Sequence, residues 1–155
     1  MNHPEIFTLN LGVLSELDNS PGSIVISFWN IKSSGEPSGK GRNIPSILAD
    51  FVHENQISIL CLCESDLPTT SEFLKVYNSI HTTRKFELVD LNDCNISILS
   101  SLPKTCFKNV APAIGTPRWL SYQISIPSVI TFNLFTIHFQ SKINAGLNPA
   151  SLLNA

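Results

Sequence analysis

The chain has 155 residues, a formal net charge of −2 and 14% charged side chains, where an average soluble domain carries about 25%. That length accommodates one domain with a core of its own. The near balance of acids and bases excludes a globally basic nucleic-acid binder and an acidic tail.

In the first twenty residues Phe7, Leu9 and Leu11 alternate, the pattern of a short edge strand. Pro21-Gly22 then marks a turn. Ser23–Asn30 (SIVISFWN) is β-branched and aromatic on both faces, which predicts a strand covered on both sides. A loop rich in Gly and Ser follows, from Lys32 to Arg42. Asn43 can cap a helix with Pro45 in its first turn, and Ile47, Leu48, Phe51 and Val52 recur at helical spacing, so a helix ending near Asn55 is expected. Ile57–Cys63 (ISILCLC) is a second doubly apolar strand, and Glu64 ends it.

A strand, a helix of this length and another strand make a parallel pair with a right-handed crossover. Parallel strands end on one rim, so Asn30 and Glu64 should face the same crevice, the edge at which open α/β sheets bind ligands. Thr69 and Glu72 have capping-box spacing for a second helix, with Phe73, Leu74, Tyr77 and Ile80 on one face. Beyond it the segments 86–89, 96–99, 119–126 and 129–139 read as an antiparallel meander, turned at Asn92-Asp93 and Pro127-Ser128.

Cys61, Cys63, Cys94 and Cys106 show no CxxC pair and no His cluster at zinc spacing, so they read as buried reduced thiols. Met1–Asn10 lacks the basic start and apolar stretch of a secretory leader, and no apolar run approaches the ~20 residues that span a bilayer. A cytoplasmic chain is the expectation.

Four residues carry candidate chemistry. A carboxylate that ends a doubly covered strand, as Glu64 does, is costly to desolvate unless it is paired or binds a cation. One carboxylate with water and substrate oxygens is a common magnesium environment. The plainer alternative is a strand-end Glu that reaches solvent. His138, near the end of the last long strand, is either a strand-end histidine or a donor to a phosphate oxygen. The Gly35–Gly41 loop has three residues between Gly35 and Gly39 where a Walker A loop needs four, and Gly41 stands where Ser or Thr would bind magnesium. It reads as a solvated loop, with Lys40 and Arg42 near a rim.

The strand ending in Trp29-Asn30, the crossover helix and the strand ending in Cys63-Glu64-Ser65 resemble the opening of the endonuclease/exonuclease/phosphatase superfamily. That group includes apurinic endonucleases, DNase I-like nucleases, neutral sphingomyelinases and inositol phosphatases. The family's second strand usually ends in Gln-Glu; here Cys63 replaces the Gln. Asn95–Pro103 (NISILSSLP), Pro117-Arg118-Trp119 and Phe135–Ser141 (FTIHFQS) are similar to three further family segments in the same order, with Ser101 where an Arg is usual.

The resemblance implies an α/β fold that is half of a four-layer DNase I-like sandwich, a mixed sheet with helices on one face. It divides the chain into 1–22 (extension or edge strand), 23–142 (partial domain) and 143–155 (tail). It implies Glu64 as ligand to magnesium or manganese, Asn30 and His138 as catalytic groups and Arg118 as a contact to a phosphoester substrate, whether nucleic acid, lipid head group or phosphorylated small molecule. The family draws an Asp-x-Asn pair and an Asp-His pair from its second half. After His138 this sequence has no Asp, Glu or His. The expectation is therefore a truncated or split phosphoesterase, nearly inactive alone and completed by a second chain, or else a non-catalytic interaction module that keeps the fold.

Overall fold

A computed structural model describes residues 3–11, 22–32, 43–110 and 118–138. The chain forms a mixed five-stranded sheet with two helices on one face and a three-stranded antiparallel sheet on the other. In chain order the elements are β1 (Glu5–Asn10), β2 (Ser23–Asn30), α1 (Ile44–Glu54), β3 (Ile59–Cys63), α2 (Leu67–Ile80), β4 (Glu87–Leu91), β5 (Ser97–Ser100), a 3-10 turn at Lys104–Cys106, β6 (Phe107–Asn109), β7 (Trp119–Ile126) and β8 (Ile130–Ile137). The first sheet runs β1-β2-β3-β5-β4 and the second β6-β7-β8.

The centre of the first sheet is parallel, as a strand–helix–strand unit requires. β2 and β3 align in register from Ile26 opposite Ile59 to Asn30 opposite Cys63. Their alternating side chains feed two separate cores. Trp29, Leu60 and Leu62 point to the helices, where Leu48, Val52, Phe73 and Tyr77 cover them. Ile24, Ile26, Ile59 and Cys61 point to the second sheet and meet Leu120, Tyr122, Ile124 and Leu134. Trp29 packs against Phe51 with ring centroids 4.8 Å apart and the rings tilted by 59°, which seats α1 on β2.

α1 starts as its sequence requires: the Asn43 side chain accepts from Ser46 N, a proline occupies the first turn, and Asn55 ends the helix. α2 departs from expectation. Its cap is Asp66, whose Oδ1 accepts from Thr69 N at 2.9 Å, so the helix begins before the Thr69–Glu72 pair. Pro68 explains the shift: a proline fits the first turn, where its missing N–H has no helical partner. Thr70 instead turns its hydroxyl back to the carbonyls of Asp66 and Leu67.

The meander divides between the layers. β4 and β5 extend the first sheet, with a bulge between Leu88 and Asp90. β6, β7 and β8 form the second. The predicted turns stand: the Asn92 side chain accepts from Cys94 N and Ile96 N, and Ser128 takes a positive φ of 61° after Pro127. β8 ends at Ile137, so His138 lies just beyond the strand rather than inside it. The buried-thiol reading holds fully for Cys61 alone; Cys63, Cys94 and Cys106 form no disulfide and are half-buried. The Gly35–Gly41 loop, Arg42 and the segment 139–155 lie outside the described residues. Among the described residues no helix is long and apolar enough to cross a membrane.

Candidate functional site

The parallel register places Asn30 and Glu64 together at the rim, and the structure links them directly. Asn30 Nδ2 donates to Glu64 Oε1 at 3.1 Å, across 34 residues of sequence. Asn30 Oδ1 accepts from Lys32 N at 3.1 Å, which leaves the carboxamide one orientation with its N–H₂ toward the carboxylate. Glu64 has a positive φ of 52°, and Lys32 one of 51°. Non-glycine residues enter that region at a cost of about 1–2 kcal/mol. Both parallel strands thus leave the sheet through a left-handed residue, Lys32 after β2 and Glu64 after β3, and the second carries the carboxylate.

The second sheet brings the other two candidates. His138 Nε2 sits 3.2 Å from Glu64 Oε1. Arg118, paired across the sheet, donates from Nε to the His138 carbonyl at 3.1 Å, and its Nη2 lies 3.2 Å from His138 Nδ1. An arginine can only donate, so in this contact Nδ1 is the bare acceptor and the imidazole proton sits on Nε2, facing the carboxylate. Asn30, Glu64, His138 and Arg118 therefore form one continuous chain of polar contacts between the layers.

Cys63, in the position where the resembled family has Gln, turns its thiol to the Ile137 carbonyl at 3.8 Å. Burial, with the neighbouring Glu64 charge adding to it, pushes that thiol up to about 11. Burial thus favours the neutral thiol, which donates to that carbonyl. Ser65, next along, is buried and gives its N–H to the Asn95 carbonyl.

The rim opens onto a cleft of about 530 Å³ between the sheets, with Asn30, Cys63 and His138 at one end and Phe7, Phe28 and Phe135 along it. This aromatic lining escaped sequence reasoning. The signal was present in the alternation of β1 and in Phe28, which shares a face with Ile24 and Ile26 yet is less covered than they are. Lys40 and Arg42, the cations expected near Glu64, lie outside the described residues; His138 is what stands beside it. No family model matches the sequence, and neither the curated proteins nor the solved structures contain a match.

Proposed function

We propose that the chain is part of a metal-dependent phosphoesterase of the endonuclease/exonuclease/phosphatase kind, built as one portion of a four-layer sandwich. One observation carries this reading: four residues singled out for phosphoester chemistry form one chain of contacts at the C-terminal rim of a parallel strand pair, with Asn30 and His138 meeting at Glu64 Oε1 and Arg118 reaching His138.

The donor set suits a hard cation. Glu64 offers a carboxylate, a hard oxygen donor of the kind that magnesium and manganese take. Among the described residues no group of three or more His, Cys, Asp or Glu could enclose an ion. Glu64 would hold it together with water and substrate oxygens, and weakly. When bound, such a cation neutralises charge on a phosphoryl oxygen. Asn30 fixes the carboxylate from the side. His138, with its proton on Nε2, and Arg118, with its fixed charge, are placed to donate to non-bridging phosphate oxygens.

A second reading, a non-catalytic interaction module, draws support from the same contacts. Asn30, Glu64, His138 and Arg118 satisfy one another, as a latch between two sheets would require. Thermal melts of wild type and Glu64→Gln, with and without magnesium, separate the two. The glutamine keeps an acceptor oxygen and removes the charge. On the metal reading the apo melting temperature barely moves, and the magnesium-induced rise seen in wild type disappears. Equal destabilisation in both conditions would falsify the metal reading and leave the latch.

A further inference from the structure

A second cleft, of about 660 Å³, lies near the start of β3, at the other end of that strand from Glu64. His53 and Glu54 from the end of α1, Tyr77 and His81 from the end of α2, and Thr83 and Arg84 beyond it line the cleft. Its volume is that of a small-molecule pocket.

The lining is rich in hydrogen-bond donors. Arg84 spends Nε on Ser101 Oγ, and Nη2 on the Gln56 and Ile57 carbonyls and Ser58 Oγ. All four acceptors are neutral, and none of these bonds uses Nη1. The Tyr77 side chain is 2% exposed and packs among Phe73, His81 and Phe86. Its hydroxyl has no hydrogen-bond partner among the described residues, although a buried tyrosine ordinarily finds one. Burial pushes that hydroxyl up and the Arg84 charge pulls it back, so the two groups are within electrostatic reach. His53 and His81 stack with ring centroids 4.2 Å apart and 18° between their planes, and Tyr77 packs on His81 at 4.4 Å. Each neutral imidazole adds one N–H.

The nearby backbone acceptors are already taken. The carbonyls of Val52, His53 and Tyr77 accept from the N–H groups of Ile57, Gln56 and His81. Glu54 is the one carboxylate among the described residues of the lining, and it is exposed to solvent.

We propose that this cleft binds a phosphate group, free or as the monoester of a small molecule. A tetrahedral oxyanion matches the donor set: a fixed guanidinium with an unspent amino group, a phenolic hydroxyl and two imidazoles side by side. A carboxylate, with two oxygens, would leave part of that set unused. The site lies away from Glu64 and does not depend on the phosphoester reading.

Titration of the full chain with inorganic phosphate at constant ionic strength, followed by residue-resolved amide resonances, tests it. Phenyl phosphate serves as a second titrant. Saturable shifts at His53, His81, Thr83 and Arg84 are expected. Tighter binding of the ester would assign the site to a phosphorylated molecule, and weaker binding to the free ion. Tyr77→Phe removes a hydroxyl that no described contact uses. Its circular dichroism and its melting temperature without phosphate should match wild type, while affinity falls about tenfold or more. His53→Ala, at an exposed position, should weaken binding by a smaller factor. Shifts that never saturate, shifts confined to the Glu64 and His138 rim, or wild-type affinity in either variant would each overturn the proposal.

Discussion

Each end of β3 holds a polar network, and the two are built differently. At the start of the strand Arg84 donates to the carbonyls of Gln56 and Ile57 and to the hydroxyls of Ser58 and Ser101. The Ser58 carbonyl in turn accepts from the Ser100 hydroxyl and the Ser101 N–H. One cation there serves neutral acceptors, from the buried Ser58 to the exposed Gln56. At the other end Glu64 takes an amide and an imidazole, the charged arginine is one step removed, and the cluster borders an open cleft. A network of the first kind ties backbone together. One of the second keeps its charged groups within reach of a ligand. The C-terminal rim of a parallel pair is where such a site is expected, and here it is the end that holds the carboxylate.

Removing the staple should cost most. Arg84→Ala strands two carbonyls and two hydroxyls, and hydrogen bonds from a charged group are worth more than neutral ones, so a loss of about 2 kcal/mol is expected by urea denaturation, unchanged by magnesium. His138→Ala removes two side-chain contacts, to Glu64 and Arg118, at the partly exposed end. Such pairs contribute little, and a loss of ~1 kcal/mol or less should appear in the same measurement. Equal losses for the two variants would erase the distinction between the ends.

The smallest effect sharpens the open end from its covered side. The folded state raises the Cys63 thiol from 9.0 to about 11. The native state then holds a proton that the unfolded chain releases. Its contribution to stability is complete below pH 9, falls as pH rises from there and is gone above about 11. The alkaline arm of a stability–pH profile should be shallower in Cys63→Ser than in wild type, and Cys63 should resist alkylation at neutral pH until the protein unfolds. Identical alkaline slopes would mean the thiol is not held as described.

Much of this was legible in the residues. β2 and β3 are apolar on both faces, α1 is bracketed by Asn43 and Asn55, and the parallel rule then places Asn30 beside Glu64 without knowledge of any contact. The convergence of Arg118 and His138 was carried by the family resemblance rather than by periodicity, since pairing across β7 and β8 says nothing of what lies below them. The division of the meander into two sheets was missed because a hairpin reads alike in either. The clue was in β7, where Leu120, Tyr122 and Ile124 face inward while Ser121, Gln123 and Ser125 alternate with them, the pattern of a strand covered on one side only. β6 was too short to show a period. The start of α2 was misplaced because Asp66 and Thr69 are both good caps and only the proline between them decides.

The two tryptophans fall on opposite sides of the five-stranded sheet. Trp29 is 8% exposed, packed in the helix-side core against Phe51, and Trp119 sits on the outer surface of the second sheet beside Arg118. Intrinsic fluorescence therefore carries two separable signals, a blue-shifted one from beneath the helices and a red-shifted, quencher-accessible one from the outer surface of the second sheet. Replacing either indole with phenylalanine leaves a single-colour reporter of one layer, and the pair would show whether the layers melt together or in turn.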